Sequence, residues 1–294
     1  MTVRWRLILQ KDISSAYAMA LDDAFHRVAA KEQSGVLHLY NTVPALLVGR
    51  WHRGEIKVSN ELDVNRRPTG GLAVTSGENF LSFSLSLPST FTDDYSLAFE
   101  KLSAVIKSLA KGRVYADGSI RDSNTIKGVL SICSECEGAI LLQGGFFIRA
   151  AGIKSLAIAQ RLLKEEIEKR LSVHFVIDTI SQQEKEVLNA LLHSRYLQDE
   201  WRAFGDVPKV YAKIKKDYAD FCVAAGSSGG VISNLKVWGT FIGDADAISK
   251  SLAGLKPTKK DLSKALTQIP TRKKPYKFKD NKILEVIQTA LHTK

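Results

Sequence analysis

Residues 80–87 read Phe-Leu-Ser-Phe-Ser-Leu-Ser-Leu. Leu81, Phe83, Leu85 and Leu87 alternate with Ser82, Ser84 and Ser86, which puts the apolar set on one face of an extended chain. A helix would scatter the same residues around its axis. The run therefore predicts a strand with one buried face, and a fold built on a sheet. Just upstream, Asn65-Arg66-Arg67-Pro68-Thr69-Gly70-Gly71-Leu72-Ala73-Val74 places two arginines and a turn before paired glycines and an apolar run. Arginine offers a planar fork of donors suited to phosphate or carboxylate. Glycines let the backbone approach a ligand and turn its N–H groups toward an anion. Taken alone, this is equally the pattern of a structural turn with two solvated arginines.

The flanking sequence reads as a mixture of strands and helices. Trp5–Leu9 is a short strand, and Ser14 or Ser15 can cap a helix running to about Lys31 with Ala16, Met19, Ala20, Ala24 and Val28 inward. Val36–Tyr40 and Ala45–Gly49 read as two strands joined by a turn. An amphipathic helix is expected over Asp93–Lys111, with Leu97, Leu102, Val105, Ile106 and Leu109 buried. A strand follows over Ile140–Ile148. Helices are then expected over Ile153–Leu171 and Ser181–Arg195, the second opening on a Ser181/Glu184 capping box. A boundary falls near Gly205–Pro208. Beyond it come a hairpin around Gly226–Gly230 and helices from about Ala245 and Asp261.

The chain has 294 residues, 45% hydrophobic and 25% charged, enough for one large and one small globular domain. No apolar run is long enough to span a bilayer and no signal-peptide pattern opens the chain, which predicts a cytoplasmic protein without membrane contact. Three cysteines give no disulfide framework. Cys133 and Cys136 form a single C-x-x-C with no second pair, which argues against structural zinc, and His52 has no other histidine at metal-ligand spacing; no metal site is predicted. The net charge of +11 favours anionic partners. Arg272, Lys273, Lys274, Lys277, Lys279 and Lys282, with Tyr276 and Phe278 interleaved, read as a solvated linker before a last helix rather than a nucleic-acid surface.

Several short motifs occur in one order: Met19-Ala20-Leu21-Asp22-Asp23-Ala24, then Leu46-Leu47-Val48-Gly49-Arg50, the Arg66–Val74 loop, Lys127-Gly128, and Leu142-Gln143-Gly144. That order resembles the lipoate–protein ligase family of the biotin/lipoate ligase superfamily, over about the first two-thirds of the chain. The family pattern has an M-A-x-D-E-A helix, an I-G-R strand end, an R-R-x-x-G-G-G-A-V loop, a lysine and a strand ending near H-G. The resemblance implies an α+β fold: a mixed-sheet catalytic domain over residues 1–206 and a small α+β accessory domain over 207–294. It implies a ligase that reacts lipoate with ATP, accompanied by Mg2+, to give lipoyl-AMP. The acyl group then passes to a lysine of a lipoyl domain, in a 2-oxoacid dehydrogenase complex or the glycine cleavage H protein. By the same resemblance Lys127 is the catalytic lysine. Tyr40, Arg50, Arg67, Thr69, Gly70, Gly71, Ala73, Val74, Asn79 and Gly144 would line the acyl-adenylate.

The chain also departs from the pattern. Leu72 stands for the third glycine, Ser76 for a common histidine, and Gln143 for the histidine before Gly144. Gly118-Ser119 stands where Asn-Asp is usual, and the loop to Asn79 is one residue short. After Gly144 the chain runs almost directly into the next helix, where the family has a long excursion that closes over the adenylate. These departures keep open an ATP-independent lipoyl or octanoyl transferase and a degenerate relative that only binds lipoyl domains. They also lead to the expectation that the isolated chain is slow as a ligase. Some transferase relatives use a nucleophilic cysteine; Cys133 and Cys136, past the lysine, do not match its expected place.

Overall fold

The computed structural model describes residues 3–52, 62–92, 94–133, 138–203, 212–216, 219–239, 241, 245–270, 274 and 278–292. Strand β1 (Arg4–Ile13) leads to helix α1 (Ser15–Glu32). The Tyr17 N–H donates to Ser14 Oγ at 3.3 Å, so Ser14 is the N-cap, and Gln33 closes the helix in the left-handed region. Then come β2 (Ser34–Thr42), β3 (Ala45–Val48), β4 (Asp63–Arg66), β5 (Val74–Ser76) and β6 (Phe80–Pro88). Helix α2 (Tyr95–Ala110) follows, capped by Asp94, then β7 (Arg113–Val114), β8 (Ser119–Asp122), β9 (Thr125–Cys133) and β10 (Ala139–Phe147). Helix α3 (Leu156–Leu171), β11 (Val176–Ile177) and α4 (Gln182–Leu191) run into a π-helical turn, Leu192–Tyr196, and the short α5 (Asp199–Ala203). The remainder is β12 (Ala212–Lys216), β13 (Ala219–Ser228), β14 (Val231–Gly239), α6 (Ala245–Leu252), α7 (Lys259–Gln268) and α8 (Asp280–His292).

An eight-stranded mixed sheet, ordered β11-β1-β2-β6-β10-β9-β8-β7, forms the frame. Strands β11, β1 and β2 are parallel to one another, and the pairs from β2–β6 through β8–β7 are antiparallel. One face packs on α2 and α3 through Leu81, Phe83, Leu85 and Leu87 of β6, with Phe99, Leu102 and Leu163 opposite. The other face carries α1, α4 and a small sheet ordered β4-β3-β5. Each fully buried Phe or Leu contributes about 1.5–3 kcal/mol from removal of apolar area from water. The last three strands form a separate antiparallel sheet, covered by α6, α7 and α8.

The α+β class and the helix inventory agree with the sequence reading, and three local expectations need correction. Strand β6 is buried on both faces: Ser82, Ser84 and Ser86 lie under α1, where Ser84 joins a polar network described below. Strands β2 and β3 are joined by a turn as expected, and that turn carries the chain from the large sheet to the small one. Leu97 is exposed, since Ala98 and Phe99 occupy the inward positions of its helix. The Ser181 capping box forms, but α4 ends at Leu191 and gives way to the π-helical turn. Cys136 and the Gly205–Pro208 boundary lie outside the described residues. No described helix is long and apolar enough to cross a membrane.

Candidate functional site

The loop between β4 and β5 is held by close backbone approach. The Arg67 N–H donates to Val48 O at 2.8 Å, and the Arg50 N–H donates to Thr69 O at 2.9 Å. Gly71 sits at φ +87°, a region that L side chains rarely adopt. A Cβ on Gly49 would fall 2.0 Å from the Gly71 carbonyl oxygen, so the end of β3 and the paired-glycine turn fit only without that side chain.

The two arginines divide the work. Arg66 is fully buried and structural: its guanidinium donates to the carbonyls of Gly49, Arg50, His52 and Trp201, and Trp201 Nε1–H donates back to Arg66 O at 3.1 Å. Arg67 is also buried, and donates to the carbonyls of Leu47, Gly70 and Leu72. No carboxylate pairs with it among the described residues, and its buried Nε has no hydrogen-bond partner. Burial lowers its pKa to about 10, which leaves it a cation at neutral pH.

Arg67, with Ser82 and Gln143, forms the polar wall of a narrow internal cavity of about 10 Å3, room for little more than one water. Tyr40, Leu47, Val74, Phe80, Val129 and Gly144 supply much of its lining. Gly144 is required by packing, because a Cβ there would meet Val129 O at 2.5 Å and the Phe83 ring at 2.8 Å.

Behind the cavity lies a buried polar network centred on Asp22, which is 0% exposed. Its carboxylate accepts from Ser84 Oγ at 2.5 Å, Tyr40 OH at 2.8 Å and Gln143 Nε2 at 2.6 Å, and lies 2.8 Å from His38 Nδ1. Burial, with Asp22 adjacent, raises the Tyr40 phenol well above its usual pKa and keeps it a donor. Gln143 Oε1 accepts from Thr69 Oγ1 at 2.7 Å, and Thr69 is 2.7 Å from Ser131 Oγ. One chain of hydrogen bonds thus runs from helix α1 through β10 to the glycine loop.

Of the residues singled out in the sequence, Tyr40, Arg67, Val74 and Gly144 meet at the cavity, and Thr69 joins through Gln143. Gly70 and Gly71 shape the loop, with Ala73 following at its end. Arg50 is buried in a stack, 4.6 Å from the Trp51 ring and 5.7 Å from the Trp201 ring. Asn79 has a bracing role: its side-chain oxygen accepts from the Arg149 N–H at 3.0 Å. Lys127 is half-buried on β9, two residues before Val129, beside a register shift against β8. It makes no ion pair among the described residues. Asp117, at the Gly118-Ser119 departure, accepts from Ser119 N–H and Oγ–H, and its carbonyl borders Gly71. The reading by motif missed the roles of Asp22, Ser84, Ser131 and Gln143. The available signal was an acidic pair inside the apolar stretch Met19–Phe25.

Comparison with known proteins adds to this geometry. The family model described as the lipoyl protein ligase A/B catalytic domain matches residues 14–183. A solved structure of lipoate-protein ligase A bound with ATP is 18% identical, covering 68% of this chain and 98% of its own, with a TM-score of 0.57. P. falciparum LipL1 in complex with lipoate is 13% identical over 96% of this chain and 99% of its own, with a TM-score of 0.61. A bi-partite lipoate protein ligase from Thermoplasma acidophilum, from a study that includes its E2 lipoyl domain, is 19% identical over 68% and 96%, with a TM-score of 0.55. At these identities the three share a fold with this chain. The search of curated proteins returned no match.

Proposed function

The chain belongs to the lipoyl protein ligase A/B catalytic-domain family, and from that premise we propose that it activates lipoate with ATP as lipoyl-AMP and passes the lipoyl group to a lysine of a lipoyl domain. The observation that carries the reading is Arg67: a buried cation without a carboxylate partner among the described residues, at the wall of an otherwise largely aliphatic and aromatic cavity. A buried charge is costly unless paired, so the site is complementary to an acid with an apolar tail. Lipoate has that form. Leu47, Val74, Phe80 and Val129 would take the chain, and Arg67 with the loop N–H groups would take the carboxyl end. The cavity must widen to admit it.

In activation, a lipoate carboxylate oxygen bonds to the α-phosphorus and pyrophosphate leaves. In transfer, the acceptor lysine amine attacks the acyl carbon, AMP leaves and the amine loses its proton. Lys127 would hold the oxygens on which negative charge grows in both steps. Among the described residues no group of three or more His, Cys, Asp or Glu converges as a metal site, so Mg2+ would enter with the nucleotide, on its phosphate oxygens. The acceptor would be a lipoyl domain of a 2-oxoacid dehydrogenase complex or the glycine cleavage H protein. Residues 1–206 would be the activating unit and 207–294 the accessory unit. Only residues 148–155 separate β10 from α3, so no long loop is available there to cover the adenylate, and the isolated chain would lose lipoyl-AMP to water.

The test is carboxyl recognition. Wild type should bind lipoate well above lipoamide, and Arg67→Gln should erase that preference while keeping the fold. Equal binding of the acid and the amide by wild type would contradict the reading.

A further inference from the structure

The charge of this chain is concentrated at one end. Residues 207–294 hold seventeen Lys and Arg against seven Asp and Glu, +10 of the total +11, so residues 1–206 are nearly neutral. Such asymmetry marks a surface that meets an anionic partner. Phe278 lies within the stretch whose sequence reads as a solvated linker, yet it is 9% exposed and packs on Phe221 and Phe241, with ring centroids 5.9 and 6.3 Å away. Beside it a groove of about 440 Å3 is lined by Ile214, Lys215, Phe278, Lys279 and Lys282. Lys215 and Lys282 are 70% and 59% exposed, with Asp220 and Glu285 as surface partners. Exposed pairs of this kind hold only about 0–1 kcal/mol and leave the lysines available to a stronger partner. Lys279 has no ion pair among the described residues.

The groove is also close to the reactive loop. Ile214 pairs with Phe221, and Phe221 pairs with Gly239, in one row across the sheet. A Cβ on Gly70 would lie 3.3 Å from the Gly239 carbonyl oxygen. Two strand spacings, roughly 10 Å, therefore separate the groove's Ile214 from the strand end that abuts the loop. We propose that this lysine-rimmed groove docks the acceptor protein, through an acidic face near its target lysine with an apolar side chain seated on Ile214 and Phe278. This rests on the reading of the chain as a lipoyl-transferring enzyme, and it names where the acceptor binds.

The experiment uses the full chain and an isolated E2 lipoyl domain. Binding is measured by calorimetry for wild type, for Lys215→Glu/Lys279→Glu/Lys282→Glu, and for a control of equal charge, Lys250→Glu/Lys259→Glu/Lys264→Glu, on helices that do not line the groove. Lipoate-dependent pyrophosphate exchange, which needs no acceptor, is followed in parallel. The groove variant should bind the lipoyl domain at least about tenfold more weakly than the control, with wild-type binding weakening as salt rises from about 50 to about 300 mM. Exchange should be equal in all three. Equal lipoyl-domain affinity in the groove and control variants would overturn the proposal. So would no wild-type binding, or a groove variant that loses affinity for random duplex DNA and not for the lipoyl domain. Absence of exchange in every chain would instead count against the activating function, while the binding comparison would still decide the docking site.

Discussion

Gln143 donates its side-chain amide to the Asp22 carboxylate at 2.6 Å and accepts from the Thr69 hydroxyl at 2.7 Å. This one side chain couples helix α1 to the glycine loop. Gln143→Leu would keep the bulk and leave Asp22 and Thr69 each short of a partner. A buried polar group left unsatisfied costs about 1–3 kcal/mol. Denaturant unfolding should report a loss of that order, with weaker lipoate binding. Unchanged stability and binding would mean that the network is incidental.

Gly49 and Gly71 make the second prediction. With 2.0 Å between a Gly49 Cβ and the Gly71 oxygen, Gly49→Ala must displace the loop. The cost should be about 1–3 kcal/mol, the usual range for overpacking. Gly226→Ala, where the added Cβ would come no nearer than 4.0 Å to Ser233 Oγ, is the control and should change little. Lipoate affinity should fall only for the first variant, as measured by titration calorimetry.

Lys127→Ala should abolish acyl transfer and leave the melting temperature close to wild type, because Lys127 is half-buried and makes no ion pair among the described residues. Single-turnover transfer from preformed lipoyl-AMP isolates this step. Unchanged turnover in the alanine variant would remove Lys127 from the mechanism.

Acid sensitivity should come from His26. Burial lowers its pKa below the ordinary histidine range, Asp23 opposes that shift, Ala139 O accepts from its ring, and Arg27 adds to the lowering. The unfolded chain therefore takes up a proton at a higher pH than the folded one. Stability should be complete above about pH 6.5 and fall as the pH drops toward the folded value. His52, lowered by burial and by Arg66 and Arg67, adds a slope of the same sign. His26→Gln keeps a donor for Ala139 O and should flatten the profile of melting temperature between about pH 6.5 and pH 5. An identical profile in that variant would assign the acid sensitivity elsewhere.

Much of the fold was legible because its signals are local. The alternation at Leu81–Leu87 marked β6, Ser14 marked the start of α1, and Ser181 with Glu184 marked α4. The sequence did not disclose what covers the second face of β6, since Ser82, Ser84 and Ser86 look solvent-facing until α1 packs over them and brings Asp22 to Ser84. Arg67, Val74 and Gly144, which the motif order brings together, line one cavity. Their spacing could not separate Arg66 from Arg67, because adjacent residues on an extended chain point opposite ways and only tertiary contacts choose between them. Phe278 was misread for the same reason: its burial depends on Phe221 and Phe241, far away in sequence.

The central claim, that this site activates an acyl carboxylate on ATP, is tested most directly by lipoate-dependent exchange of labelled pyrophosphate into ATP. The purified chain should catalyse exchange without any acceptor, and Arg67→Gln and Lys127→Ala should each lose it while remaining folded. No lipoate-dependent exchange by the folded wild-type chain would contradict the claim and leave an ATP-independent or purely binding role.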